Sequence, residues 1–314
     1  MVILMNLEYK VIDNKYCNIK EVLRSYFFIS DRLLTKLKAN KRIYLNGNTE
    51  YVTKQINIGD FISVNIDFEE ESENITPINI NLNIIYEDDS LLIIDKPPFL
   101  PVHPSASHFE DSLSNGIKYY YDSINLKRKI RPVNRLDKDT SGIVIFAKNE
   151  YIQECLIKQM KSKLYVKEYI AILEGNIEKE IGIINAPIAR KEKSIIEREI
   201  SKNGDIALTH FEVIKNFECN QKKLSLVKFK LETGRTHQIR VHSKYIGHPI
   251  LGDSLYGKKS ELINRQALHA YKVSFIHPIT KEKIDIEANI PSDIGMLLGT
   301  PPKSMKCFKE TPAF

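Results

Sequence analysis

Apolar and polar positions in the first part of the chain change period twice. Ile29, Leu33, Leu34 and Leu37 recur at helical spacing, and Ser30 stands where a helix N-cap needs a side-chain oxygen, so a helix is predicted from about Ile29. The pattern then shortens to Ile43-Tyr44-Leu45, followed by Asn46-Gly47, a tight-turn pair. A second turn at Gly59-Asp60 leads into Phe61 to Ile66, a predicted strand. Further on, Leu91–Ile94, Ile143–Phe146, Tyr169–Leu173 and Leu224–Phe229 read as strands, and Glu150 to Lys163 as a helix. The alternation has no steady βαβ rhythm, so an α+β fold fits better than a doubly wound sheet. No short-period repeat is present.

Charge divides these elements into domains. Residues 1–66 form a small α/β unit in which the segment Arg32 to Arg42 holds five bases and no acid. Asp67, Glu69, Glu70, Glu71 and Glu73 follow, then Asn-rich sequence to Asn83. Residues 67–83 are therefore expected to be an acidic, solvated linker that repels polyanions and keeps the small unit off its neighbour. A main domain is expected over 84–291. A loosely attached tail over 292–314 carries Pro301, Pro302 and Pro312. At about 100–200 residues per domain, 314 residues accommodate this division.

Composition narrows the class. With 42% hydrophobic and 27% charged residues the chain is neither disordered nor collagen-like. No apolar run approaches the roughly 18–20 residues of a membrane span. Met1 to Met5 is too short for a secretory segment and has no basic flank, so a cytoplasmic protein is expected. Cys17, Cys155, Cys219 and Cys307 are far apart, which predicts reduced thiols and neither a disulfide framework nor a zinc ribbon. The net charge of +6 is a mild excess that only hints at a polyanionic partner.

The most informative stretch is Arg131-Pro132-Val133-Asn134-Arg135-Leu136-Asp137-Lys138-Asp139-Thr140-Ser141-Gly142, which feeds the strand Ile143–Phe146. Locally it is a polar turn. Asp137, Asp139, Thr140 and Ser141 suit side-chain-to-backbone bonds, and Gly142 supplies a permissive backbone. A metal site on the two aspartates lacks further ligands at fixed spacing.

The string R-L-D-K-D-T-S-G resembles the signature of the RluA-type pseudouridine synthases. Further segments resemble the same family in the same order: Ile85 to Pro98 with Val102-His103-Pro104, Lys167-Glu168-Tyr169-Ile170-Ala171, Leu231 to His242, Gly247 to Asp253, and Leu268-His269-Ala270 with Phe275-Ile276-His277-Pro278. The resemblance covers about residues 84–291. It implies a mixed, largely antiparallel catalytic sheet. Residues 1–66 resemble an S4-type RNA-binding module in their basic helix and Leu45-Asn46-Gly47 turn, although the module's first helix is indistinct here.

What the resemblance implies is an enzyme that isomerises uridine in RNA to pseudouridine. The N1–C1′ bond breaks, the uracil turns, and C5 joins C1′. The reaction needs no redox cofactor and no metal, so none is expected. Asp137 matches the family's catalytic aspartate, which either attacks C1′ or takes a ribose proton. Arg235 matches the arginine that pairs with it, and Tyr169 the tyrosine that stacks on the base. Lys167, two positions earlier, shares that strand face. Arg135, His237 and Arg240 are expected at the RNA, as are Arg32, Lys36 and Lys41 of the basic helix. Asn134 departs from the family's usual His and removes a group that titrates near neutrality. The implied partner is RNA, rRNA before tRNA, with no DNA and no membrane, and a monomer suffices. Two other readings are a non-catalytic RNA-binding or ribosome-assembly factor on the same fold and a metal-dependent hydrolase. Joint retention of Asp137, Tyr169 and Arg235 speaks against the first, and insensitivity to chelators would remove the second.

Overall fold

The structure is a computed structural model and describes residues 5–105 and 108–299. The segment Met1 to Leu4, the prolines of the tail and Cys307 lie outside the described residues.

The small N-terminal unit builds a four-stranded antiparallel sheet from β1 (Asn6–Lys10), β2 (Ile43–Leu45), β3 (Asn48–Thr49) and β4 (Phe61–Asn65), in the order β1-β4-β2-β3. The β2–β3 turn is the predicted Asn46-Gly47 pair. Both residues have positive φ (51° and 84°), as a two-residue hairpin turn with the sheet's twist requires. The Asn46 amide also bonds Asp60 and the Phe61 N–H, tying this turn to the next. A helical stretch runs from α1 (Ile19–Glu21) into a π-helical turn, Val22–Tyr26, and α2 spans Asp31–Ala39. Ser30 caps α2 as expected, its hydroxyl accepting the Leu33 N–H at 3.2 Å.

The larger unit is a nine-stranded sheet, counted among the described residues. It comprises β5 (Ile84–Glu87), β6 (Leu91–Lys96), β7 (Ser141–Ala147), β8 (Val166–Glu174), β9 (Ile181–Asn185), β12 (Leu208–Cys219), β13 (Lys222–Leu231), β14 (Leu268–Ile276) and β15 (Lys283–Glu287). A separate hairpin of β10 (Ile188–Arg190) and β11 (Arg198–Ile200) stands beside it. The order is β5-β6-β7-β14-β8-β13-β12-β9, with β15 also on β14. Every pairing is antiparallel except β7–β14, which is parallel and only two residues long. The fold is α+β and its sheet mixed but largely antiparallel, as the resemblance implied. Helices α3 (Leu113–Ser123), α4 (Glu150–Lys161), α5 (Gln238–Tyr245) and α6 (Ser292–Leu297) complete it.

Strands β6 and β7 are apolar at nearly every position because both their faces are covered. Side chains alternate across the sheet. Leu91, Ile93, Ile143 and Ile145 pack on one side with α4, while Leu92, Ile94, Val144 and Phe146 pack on the other with α3. At the parallel junction Gly142 has φ +116°, and a Cβ there would stand 2.2 Å from the Ala270 carbonyl oxygen. Only glycine lets the two halves of the sheet close at that point.

The expectation of a solvated acidic linker is overturned. Asp67 is buried against Arg128, Phe68 is buried with Lys36 and Arg42 over its ring, and Glu70 bonds Lys36 and Arg131 at 2.6 Å each. Asp67, Glu69 and Glu70 each meet a base from elsewhere in the chain, while Glu71 and Glu73 are exposed, so the first part of the run is a strap between the units. Nor are the units held apart. One hydrophobic cluster runs from Leu7, Leu33 and Ile62 through Ile93, Ile152 and Phe275. Polar contacts line the join: Ser30 donates to Glu154 at 2.6 Å, and Tyr151 donates to the Phe27 carbonyl at 3.1 Å.

Candidate active site

A cleft of about 1210 Å³ lies between the loop 129–138, the start of β8, the turn 231–237 and the outer end of α2. Basic side chains dominate its walls, among them Arg32, Lys129, Arg135, Lys163, Lys167 and Arg235. Its charge suits a polyanion.

Asp137 opens the turn Asp137–Thr140, closed by the Thr140 N–H on the Asp137 carbonyl at 3.1 Å. Buried donors fix that turn from behind. Lys96, with no exposure, gives its three protons to the carbonyls of Pro97, Leu100 and Lys138 at 2.8, 2.9 and 3.0 Å. Three donors require the ammonium form. Burial and the nearby Arg265 charge pull this amine down to about 7, opposed by Asp139, Asp137 and Asp95. Arg265 is also buried. It bonds the Asp139 carbonyl at 3.1 Å and grips Asp293 of α6 with two donors. Gln266 donates to Thr140, and the Ser141 hydroxyl meets His269 Nδ1 at 2.9 Å.

In front of the turn, the Asp137 carboxylate is partly open to the cleft, and Arg240 Nη1 donates to its Oδ2 at 2.8 Å. The same guanidinium grips Asp253 through Nε (2.7 Å) and Nη2 (2.9 Å). Asp253 is wholly buried and also accepts the N–H groups of Leu255 and Tyr256. Burial disfavours the Arg240 cation, but the two carboxylates reverse that and raise its pKa further.

The expected Asp137–Arg235 pair is therefore corrected: the partner is Arg240. Gln238 is the reason. Buried at the start of α5, its Oε1 accepts from Thr233 (2.8 Å) and the Arg235 N–H (2.9 Å), while its Nε2 donates to Leu208 (3.1 Å) and Thr209 (2.9 Å). This clamp turns the Arg235 side chain outward, where Nε donates to the Ile206 carbonyl at 3.0 Å. Arg240 lies on the buried side of α5 instead.

Tyr169 and Lys167 lie on one face of β8 and both line the cleft, as their spacing predicted. Burial, and then the Asp137 charge, raise the Tyr169 phenol well above its usual range, so it stays protonated. Burial lowers the Lys167 amine. Arg135 is exposed on the cleft wall. His237 has a left-handed backbone (φ 58°) just before α5, and its Nε2 stands 3.7 Å from Asp137 Oδ2. Its neighbour His242 is buried, bonding Thr209 and the Ala186 carbonyl at 2.9 Å each, a packed histidine. Asn134 donates to the Ile143 carbonyl (3.0 Å) and accepts the Ile145 N–H (2.9 Å), so its amide extends the pairing of β7. Among the described residues no three His, Cys, Asp or Glu side chains gather as metal ligands would, and no helix is long and apolar enough to cross a membrane.

The basic helix divides. Arg32 reaches the cleft, and Lys41 is exposed. Lys36 does not face a ligand as expected. It is spent on Glu70, with Glu150 at 3.8 Å and the Phe68 ring at 4.0 Å. Three residues that hold the site carried no role in the sequence: Lys96 and Asp253 stand inside motifs without one, and Arg265 lies in a stretch with no periodic signal.

Residues 90–245 match the RNA pseudouridylate synthase family. The chain is similar to the uncharacterized RNA pseudouridine synthase YjbO of Bacillus subtilis, 39% identical over 271 residues that cover 86% of this chain and 94% of that protein. It is also similar to ribosomal large subunit pseudouridine synthase D of Buchnera aphidicola subsp. Schizaphis graminum, at 37% over 82% of this chain and 84% of that one. Among solved structures, human RNA pseudouridylate synthase domain containing 1 superposes with a TM-score of 0.58 at 26% identity, covering 69% of this chain and 86% of that chain.

Proposed function

Since the chain belongs to the RNA pseudouridine synthase family, we propose that Asp137 is its catalytic carboxylate and that its substrate is a uridine of large-subunit ribosomal RNA. Its reaction is the isomerisation of uridine in RNA to pseudouridine. The observation that carries the assignment is the placement of Asp137. It is the carboxylate that opens from a rigid turn into the basic cleft with an arginine fixed on one oxygen.

The chemistry follows from the neighbours. Arg240 keeps one carboxylate oxygen occupied and aims the other. Tyr169 offers an apolar ring beside it, on which a uracil stacks and turns over after the N1–C1′ bond breaks. Lys167, Arg135 and Arg235 meet the phosphates on either side. A uridine reaches this depth only by leaving its stack, so the substrate is a loop or a flipped nucleotide. The ribosomal substrate is supported by the name of the Buchnera relative and by the small unit, which we read as an S4-like module over 1–66, strapped by 67–83 to a catalytic domain over 84–291. In this reading Arg32 and Lys41 contact RNA, and the enzyme works as a cytoplasmic monomer.

The test is tritium release from RNA labelled at uridine C5, without added metal, for wild type and Asp137→Asn. Pseudouridine formation must expel that hydrogen. Release from 23S rRNA by wild type alone supports the reading. Release from tRNA alone moves the substrate, and no release with RNA binding intact favours an assembly factor.

A further inference from the structure

Behind His237 stands a hydroxyl that the reaction itself does not use. Tyr256, buried in the segment after Asp253, places its Oη 2.8 Å from His237 Nδ1 and 2.8 Å from the Arg198 backbone nitrogen. Its ring packs edge-on to the imidazole, with centroids 5.6 Å apart, and carries the Arg240 guanidinium at 5.0 Å. A phenol has one proton to give and two lone pairs. The Arg198 N–H can only donate, so it takes one lone pair. Two arrangements are left for His237. In one, the phenol donates to a bare Nδ1, and the ring proton sits on Nε2. In the other, Nδ1–H donates to the phenol, and a bare Nε2 faces Asp137 Oδ2 across 3.7 Å.

Electrostatics choose between them. The second sets a nitrogen lone pair against a carboxylate and leaves the phenol proton with no partner among the hydrogen bonds of the described residues. The first sets an N–H toward the carboxylate and satisfies both polar atoms of the phenol. We propose that Tyr256 is a positioning residue that holds His237 as its Nε2–H tautomer, a donor aimed at Asp137 and at whatever sugar oxygen enters between them. This deepens the proposed function and rests on it. The imidazole is neutral there. Burial pulls its pKa down, Asp137 and Asp253 pull it back, and Arg240 and Arg198 oppose them. The assignment gives the β10–β11 hairpin a part in the site, because Arg198 opens β11 and its N–H fixes the phenol.

The tautomer is read directly on the full chain labelled with 15N-histidine, from long-range proton–nitrogen correlations, with the His237→Gln spectrum identifying the resonance. Nε2 protonated and Nδ1 bare in wild type is the expected result. Tyr256→Phe should admit the other tautomer and lower kcat about tenfold, one directed hydrogen bond's worth, with RNA affinity unchanged. In the His237→Gln background the same substitution should cost nothing further, since the phenol acts through the imidazole. Nδ1–H in wild type, an unaltered tautomer in Tyr256→Phe, or additive losses in the double variant each overturn the proposal. The wild-type spectrum needs no variant to fold. Absence of tritium release from wild type would instead refute the proposed function and leave the tautomer standing.

Discussion

Arg240 offers a decisive perturbation because it serves two carboxylates at once. Its side chain is 9% exposed, that of Asp253 0% and that of Asp137 28%. Arg240→Met strands the Asp253 charge in the interior with only two backbone N–H bonds. Removing one partner of a buried pair costs about 3–5 kcal/mol. With about 2.1 cal/mol/K of unfolding entropy per residue, a chain of 314 residues should then melt about 5–8 °C lower. Asp137 also loses the group that aims it, and misplacement of a reacting group by about 1 Å is worth roughly 100-fold in rate. Arg240→Met combined with Asp253→Leu removes the stranded charge. Melting should recover most of the way in that variant, while tritium release stays depressed. Arg235→Met, from an exposed position, should leave the melting temperature within about 1 °C and act on RNA affinity rather than kcat. The reasoning is refuted if Arg235→Met abolishes turnover while Arg240→Met, or the double variant, retains it. Arg235 would then be the working partner of Asp137, and the Arg240 contact a resting arrangement.

Three other expectations are open to measurement. Gly142→Ala puts a Cβ 2.2 Å from the Ala270 oxygen at φ +116°, so it should cost about 3 kcal/mol or more in denaturant unfolding; a loss under about 1 kcal/mol would mean that the junction yields. Burial and the Arg265 charge hold His269 down to about 3, below an unfolded value of about 6.5, so its contribution to stability is complete above that value and is lost as pH falls. Between pH 6.5 and 4.5 that loss is about 2 kcal/mol, and His269→Gln should flatten the acid limb of the melting curve; an unchanged limb would assign the acid sensitivity elsewhere. Burial pushes Glu70 up, but Lys36 and Arg131 together hold it below its usual value, so Lys36→Gln should lower stability by about 1–2 kcal/mol without changing the salt dependence of RNA binding. Arg32→Gln should instead reduce that salt slope by roughly one unit, and the reverse outcome would exchange their roles.

The legible parts of this chain were those whose physics is local or periodic. The continuous apolar runs of β6 and β7, the Asn46-Gly47 turn and the Ser30 cap needed only neighbouring residues to be read. The motif residues Asp137, Tyr169 and Lys167 lie together at the cleft because resemblance and period-two spacing both carried that information. Where the sequence misled, distant partners decided. The strap of acids reads as solvated until Arg128 and Arg131, more than fifty positions on, are brought beside it. Arg235 and Arg240 are equivalent in composition, and only the Gln238 clamp sends one outward and the other inward. The helix at 19–26 escaped notice because its π-helical turn breaks the 3.6-residue repeat on which a helix is recognised.

The cluster that joins Leu7, Leu33 and Ile62 to Ile152, Phe275 and Ala288 has a consequence for synthesis. The small unit leaves the ribosome first, yet the last members of its core are translated more than two hundred residues later. At about 5–20 residues per second, that interval is roughly 10–40 s. During it the nascent chain carries that apolar flank without its partners from β14 and Ala288. The shared core therefore closes only after β14 and Ala288 have been translated.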